Sequence, residues 1–307
     1  MDKPLIAVFG ANPAWQKTLH FKQFRPGEVN RASSLGLYAG GKGVNFCRAA
    51  KCFGRCRTRL FQFAGGANGA LHEAELAREG IDCRSIRVAA ETRCCTTCLD
   101  AAGSPMTELI EPSHAVTEAE AAEMLKALDA QFSEAAGAAI TGSLPDGTDP
   151  ELYTRVAELA ARHKLPLLID ALSPGATAAA SEVVLKINMD ELKKLTGEGE
   201  AAAALRCGAA RWKHAVLAIT DGAAAAYLAW RGKVYRYRIP RIAVVSALGA
   251  GDTCSAVLLS GILTGEAPHL AFARALAAAS ANCLTPTAGE FSAAECDRLM
   301  PQIEELD

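Results

Sequence analysis

Apolar positions along the chain fall into short unbroken runs that alternate with longer stretches in which they recur three and four residues apart. Leu5-Ile6-Ala7-Val8-Phe9 is one such run, stopping at Gly10, as a strand buried on both faces of a parallel sheet does. Comparable runs follow at Ala138 to Ile140, Leu167 to Asp170, Val183 to Ile187 and Val216 to Thr220. Helical spacing marks Phe46 to Phe53, Ala70 to Glu79, Thr117 to Phe132, Leu152 to His163, the stretch from Asp252 through Ile262-Leu263, and the alanine-rich Leu270 to Cys283. Glu118 and Glu120 stand near the start of their helix, where its dipole favours them. Val244 and Val245 read as the end of a strand, and Gly249 to Gly251 as a tight turn before the helix at Asp252.

Two β-like pieces interrupt this alternation. Thr18 to Phe24 and Asn30 to Tyr38 flank the turn Arg25-Pro26-Gly27, and Arg84 to Val88, Arg93 to Leu99 and Met106 to Ile110 follow later. Strands inserted into a βα alternation must leave the main sheet. The pattern therefore predicts a single α/β domain over 1–307 with a mainly parallel central sheet and a small separate sheet built from about 15–38 and 84–111. No internal repeat, low-complexity linker or domain break interrupts it.

Composition narrows the setting. With 307 residues, 50% hydrophobic and 21% charged, the chain has ample core for a globular protein. A net charge of -2 gives no reason to expect nucleic acid or an anionic membrane as partner. Arg55, Arg57 and Arg59 alternate on one strand face without aromatic residues among them, which suits a solvated face better than a strand-binding groove. No apolar run approaches the roughly 18 residues of a membrane span, and no signal-peptide pattern opens the chain, so a cytoplasmic protein is expected. Eleven cysteines without regular spacing read as small buried hydrophobes. Cys95-x-x-Cys98 lies in a β-prone stretch where residues three apart point to opposite faces, so the pair cannot share a zinc ion.

Candidate chemistry gathers at the turns. The first backbone N–H groups of a helix lack intrahelical partners, and small residues such as Gly249, Ala250 and Gly251 let an anion approach them. A carboxylate beside that anion, Asp252, makes sense as a proton acceptor; the alternative is a helix cap. Gly36 to Lys42 nearly matches a phosphate-binding P-loop, but Gly43 stands where the magnesium-binding Ser or Thr belongs and no strand leads straight into it, so that reading is rejected. Arg93 on a lid strand can grip a phosphate with two parallel hydrogen bonds, or be an ordinary exposed strand residue. Thr141-Gly142-Ser143-Leu144-Pro145-Asp146-Gly147 ends a strand, where open α/β sheets bind ligands, though a plain Pro-Gly turn reads the same locally. Asn188-Met189-Asp190-Glu191 offers oxygen ligands suited to a hard hydrated cation, or simply opens a helix.

In this order, these motifs resemble PfkB-type sugar kinases, of ribokinase-like three-layer fold with a small β-sheet lid, over essentially the whole chain. The resemblance implies Asp252 as catalytic base and the amides of Gly249, Ala250 and Gly251 as the anion hole for the phosphoryl group. Gly40-Gly41-Lys42-Gly43-Val44-Asn45 resembles the first signature in the form found in the branch acting on fructose 1-phosphate and tagatose 6-phosphate, where the glycine backbone, Lys42 and Asn45 hold the sugar. The same likeness implies Arg93 as a clamp for the substrate phosphate, Ser143 as a contact to sugar or phosphate, and Asn188 with Glu191 as a pair positioning Mg2+ through water. It places Thr220, Gly222 and the region of Asn282 around ATP. It further implies a small sugar or sugar phosphate as partner and, as in several members, a homodimer through the lid. Gln16 is the main departure, standing where that branch usually has Asp. One amide acceptor and one NH2 donor cannot bind a hydroxyl pair as a carboxylate does, so altered sugar choice is expected. Ile187 in place of Pro and Ala225 in place of Gly are smaller changes. An unphosphorylated sugar or nucleoside, or sugar binding without turnover, are the alternatives; an intact Asp252 argues against the last.

Overall fold

The computed structural model describes residues 2–103, 106–180 and 182–306. In chain order the elements are β1 (Leu5–Phe9), β2 (Ala14–Phe21), β3 (Ser34–Gly40), α1 (Lys42–Phe53), β4 (Arg57–Ala64), α2 (Gly66–Glu79), β5 (Cys83–Arg87), β6 (Cys94–Asp100) and β7 (Thr107–Ile110). Then come α3 (Glu118–Phe132), β8 (Gly137–Thr141), α4 (Glu151–Arg162), β9 (Pro166–Asp170), α5 (Pro174–Ala179), β10 (Glu182–Asn188), α6 (Met189–Thr196), α7 (Ala201–Arg211) and β11 (Val216–Asp221). The chain closes with β12 (Ala225–Trp230), β13 (Lys233–Arg238), α8 (Ala250–Leu263), α9 (Pro268–Asn282), α10 (Ala293–Leu299) and β14 (Glu304–Leu306).

Ten strands form the main sheet in the order β14-β13-β12-β11-β10-β9-β8-β1-β4-β5, parallel from β11 to β5 and antiparallel beyond β11. Successive residues of β1 serve two cores, because strand side chains alternate between faces. Ile6 and Val8 pack with α1, α8 and α9, whereas Ala7 and Phe9 pack with α3 and α4. The result is helix, sheet, helix. From β1 the chain winds outward to β4 and β5, then returns to place β8 on β1's other side. The strand order therefore reverses between β1 and β8, and a crevice opens past their C-terminal ends.

The lid is a four-stranded sheet, β3-β2-β6-β7, in which β2 and β3 are antiparallel and β2 and β6 parallel. Arg84 to Val88 does not belong to it. That segment forms β5, which pairs parallel with β4 at the edge of the main sheet, because α2 supplies the crossover that a parallel neighbour needs. Val244 and Val245 are also not strand: they lie in irregular chain before α8, 59% and 55% exposed. The antiparallel β12, β13 and β14 were not anticipated, although β13 alternates, with Tyr235 and Tyr237 buried between exposed neighbours. The helix expected from Ala70 starts at Gly66, and the Gly-rich turn becomes its first turn.

Candidate active site

The crevice at the strand reversal is a cleft of about 730 Å³ lined by Asn12, Lys42, Arg93, Ser143, Asp146 and Glu191, among others. It lies where the loops after β1 and β8 face each other. Asn12 ties those loops together, its Nδ2 donating to Leu144 O (3.3 Å) and Ser113 Oγ (3.2 Å). Arg93, directly before β6, has a buried Nε without a partner among the described residues, and its Nη2 reaches Asn12 O at 3.5 Å. Arg93 thus brings a forked cationic donor to this wall of the cleft, a group suited to an anion.

A second cavity of about 330 Å³ is lined by Thr220, Gly222, Ile239, Ile242, Ala250, Gly251 and Leu276 among others, apolar at one end and framed by the start of α8 at the other. Gly249 caps α8 in the left-handed region (φ 80°), a conformation that suits glycine. A Cβ there would also come within 2.6 Å of Gly289 N.

Asp252 does not cap its helix. It is buried, and its Oδ2 accepts a 2.8 Å hydrogen bond from Asn45 Nδ2. Burial pushes its carboxyl up to about 6, with the charge of Asp170 adding to the effect and Lys42, Asn45 and Lys186 opposing it.

Asp170 was not singled out from the sequence. Its Oδ2 takes hydrogen bonds from Ser255 Oγ (2.7 Å) and Lys186 Nζ (3.1 Å), and its Oδ1 faces Lys42 Nζ at 3.4 Å. Burial alone would raise this carboxyl, but Lys186, Lys42 and the Ser255 hydroxyl outweigh it and hold the group ionised, below its ordinary range. Lys186 gains from the pairing: burial pulls its ammonium down, and Asp170 more than offsets that. The legible signal was a Lys inside the apolar strand Val183-Val184-Leu185-Lys186-Ile187, since a charge in such a strand must be paired.

Other expected residues fall less directly into place. Gln16 is buried on β2 and does not line the cleft; its Nε2 donates to Thr97 Oγ1 at 2.9 Å. Gly40 and Gly41 lead into α1, Gly41 at φ 111°. Asn188 caps α6: its Oδ1 accepts from Glu191 N (2.8 Å) while Glu191 Oε2 accepts from Asn188 N (2.8 Å). The Asn side chain is thus occupied locally, whereas Glu191 still reaches the cleft wall. Asn282 lines neither cavity. It is fully buried, taking Thr253 Oγ1 (2.8 Å) and Gly289 N (3.2 Å) on Oδ1 and donating to Leu248 O (3.4 Å). It braces the turn around α8, and the neighbouring Cys283 lines the second cavity. All cysteines are free, and among the described residues no group of three or more His, Cys, Asp or Glu side chains could hold a metal. No described helix is long and apolar enough to cross a membrane.

A cleft carrying Lys42 and Arg93, a second cavity at a helix start and a buried carboxylate at that helix are set in a three-layer α/β fold with a small separate sheet. The chain belongs to the pfkB family of carbohydrate kinases, whose signature matches residues 3–295. It is an ATP-dependent carbohydrate kinase. It is 32% identical over 290 residues to ATP-dependent 6-phosphofructokinase isozyme 2 of Mycobacterium tuberculosis, covering 92% of this chain and 85% of the relative. It is 26% identical over 316 residues to tagatose-6-phosphate kinase of Staphylococcus epidermidis, covering 99% and 100% of the two chains. In fold it matches phosphofructokinase-2 of Escherichia coli, solved in complex with substrates and products, with TM-score 0.85, 20% identity and coverage of 97% and 99%.

Proposed function

We propose that the protein transfers the terminal phosphoryl group of ATP to a hydroxyl of a phosphorylated ketohexose. The observation that carries this reading is the guanidinium of Arg93 in the wall of the cleft, beside Lys42, a forked donor that favours a substrate already bearing a phosphate. Lys42 and Ser143 line the same cleft and supply further donors. In this reading Asp252 accepts the proton of the attacking hydroxyl. The oxygen of that sugar hydroxyl forms the new bond to phosphorus as the bond to the ADP oxygen breaks, and the amides of Gly249, Ala250 and Gly251 stabilise the charge on the transferring group. The second cavity takes the nucleotide, with Thr220 and Gly222 toward its phosphates and the apolar end toward its base. Glu191 has one carboxylate oxygen beyond its capping bond, which fits holding Mg2+ through water; the ion would neutralise nucleotide phosphate charge. A homodimer through the lid belongs to the same proposal, supported by exposed Leu35, Leu37 and Leu109 on one lid face (55%, 47% and 57% exposed). Light scattering of the purified protein tests it, and a monomer at micromolar concentration refutes it. Cytoplasmic placement is likewise proposed.

The deciding assay is ADP release from ATP and Mg2+ with fructose 1-phosphate, fructose 6-phosphate, tagatose 6-phosphate and their unphosphorylated counterparts, with Asp252→Asn as the blank. Turnover confined to phosphorylated sugars is expected. Turnover of the unphosphorylated compounds alone would remove Arg93 from its role.

A further inference from the structure

Arg48 lies in α1, three residues past Asn45, and is 4% exposed. A guanidinium has five N–H donors, and here each of them has an acceptor. Nε and one Nη2 hydrogen go to the carboxylate of Glu79 on α2, both at 2.8 Å. The second Nη2 hydrogen goes to Ala39 O at the end of β3 (3.0 Å). Nη1 donates to Ala288 O (2.8 Å) and to Asn45 Oδ1 (3.4 Å). The plane of the group is therefore fixed at once by β3, α1, α2 and the loop before α10.

A guanidinium can only donate, so Asn45 must turn its carbonyl oxygen toward Arg48 and its NH2 toward Asp252, which it reaches at 2.8 Å. The reverse orientation would set two acceptors, the amide oxygen and an ionised carboxylate, against each other. The segment at Ala288 is held by the same grip. A Cβ on Gly249 would stand 2.8 Å from Ala288 Cα, and one on Gly289 2.9 Å from Asn45 Cα, so this segment is wedged between Asn45 and the turn that opens α8. Arg48 itself lines neither cavity, so whatever it does for the reaction it does through these neighbours.

We propose that Arg48, held by Glu79, is a positioning residue for the proton acceptor: it aims the NH2 of Asn45 at Asp252 and so keeps that carboxylate ionised and facing one way. This rests on the reading of Asp252 as the base. The other groups facing Asp252 are Asp170 of β9, Lys42 of α1 and Lys186 of β10. The two lysines can only favour its ionised form and Asp170 only oppose it, whereas an amide does either, according to which end it presents. Around Arg48 stand Glu79 and Glu75 of α2, with His72 and Tyr38 also within electrostatic reach. A lysine at this place keeps the positive charge beside Glu79 but has three donors in place of a planar fork of five, so it cannot hold Glu79, both carbonyls and Asn45 together. The amide is then free to turn, a protonated Asp252 donates to its oxygen, and the acid form is favoured.

The pH profile of kcat tests it, for the wild type, Arg48→Lys, Asn45→Ala and the two combined. The assay uses ATP, Mg2+ and whichever of fructose 1-phosphate, fructose 6-phosphate and tagatose 6-phosphate is turned over fastest. Arg48→Lys is expected to move the acid limb up by about one pH unit, the shift that loss of one hydrogen bond to a charged group implies. Asn45→Ala should move it by a similar amount. In the combined variant the two shifts should not add, because Arg48 acts through Asn45. Arg48→Met made together with Glu79→Met removes the buried ion pair as a unit, so stability should be largely kept while the limb stays raised. A residue that served only the fold would leave the limb in place once stability is kept. An unmoved limb in Asn45→Ala or in either Arg48 variant, or shifts that add, overturns this inference alone. Wild-type turnover in Asp252→Asn, or turnover of none of the three sugars by the wild type, overturns the underlying reading and the inference with it.

Discussion

Asn45 and Asp252 stand 207 residues apart and meet in a 2.8 Å hydrogen bond, both side chains buried. One lies in the first turn of α1, after β3, and the other in the first turn of α8, so the bond joins the two helix starts proposed to meet the sugar and the phosphoryl group. It also fixes one oxygen of Asp252 as an acceptor and leaves the other to take a proton. An Asp252→Asn chain keeps the shape and loses the base. Its kcat is expected to fall by about 10²–10⁴, while ATP affinity, measured by calorimetry, stays near that of the wild type because other residues line the nucleotide cavity. Full activity in that variant would remove Asp252 from the mechanism.

The acid limb of the pH profile should report the same group. Burial and Asp170 raise the Asp252 carboxyl to about 6. A base must be unprotonated to work, so kcat is expected to rise with pH to half its plateau near 6 and to be lost below it. Asp170→Asn removes a neighbouring negative charge and releases Lys42 and Lys186, and both changes favour the ionised form of Asp252. The limb should therefore move to lower pH in that variant. A limb that stays in place would mean another group controls it.

Arg93→Ala tests the substrate phosphate. Truncation removes the unpartnered Nε and the forked donors from the cleft wall. KM for a sugar phosphate is expected to rise by about tenfold to a hundredfold, as loss of a charge-assisted contact of about 1.5–3 kcal/mol implies. KM for ATP should hardly move. An equal rise for both substrates would point to a lid defect in place of a lost clamp.

Where the sequence was legible, a local rule and the tertiary outcome agreed. Alternating apolar runs and helical stretches define the three layers because a parallel strand such as Leu5 to Phe9 has no polar face to display. The glycines at 40, 41 and 249 could be read because backbone approach or positive φ excludes other residues there. Arg84 to Val88 misled because a strand's membership in one sheet or another is decided by its crossover, here α2, and not by its own residues. Asn188 was expected beside Mg2+ and Asn282 near ATP from their place in the motif order; what the structure shows of their amides is a helix cap and a braced turn, uses that a motif order does not reveal. Asp170 stayed hidden since its partners Lys42, Lys186 and Ser255 come from separate elements.

Gly249→Ala would strain the turn at its tightest point. An L-residue at φ 80° costs about 1–2 kcal/mol, and the added Cβ would press on Gly289 and Ala288 backbone. A loss of about 2 kcal/mol or more in denaturant unfolding is expected, together with weaker ATP binding, since the same turn frames the nucleotide cavity. Unchanged stability would mean the loop at Ala288 can withdraw freely.

Lys186 carries the last prediction. Its ammonium is buried, pairs with Asp170 at 3.1 Å, and lies 2.9 Å from the place a Cβ on Gly251 would occupy. It therefore sits directly beneath the turn proposed to receive the phosphoryl group, and Gly251 has no room for a side chain unless that ammonium moves. Lys186→Met leaves Asp170 with only Lys42, a partly exposed partner, and Ser255 to compensate its charge. Removing one member of a buried pair costs about 3–5 kcal/mol, mostly from the charge left behind. Adding Asp170→Asn to the same chain removes that charge, so the double variant should unfold at higher denaturant than Lys186→Met alone. Neither chain should recover turnover, because the field of the ammonium at the turn is gone in both. If Lys186→Met retains wild-type stability, water reaches Asp170 and the pair is not sealed; if the double variant regains activity, Lys186 serves the fold and not the phosphoryl group.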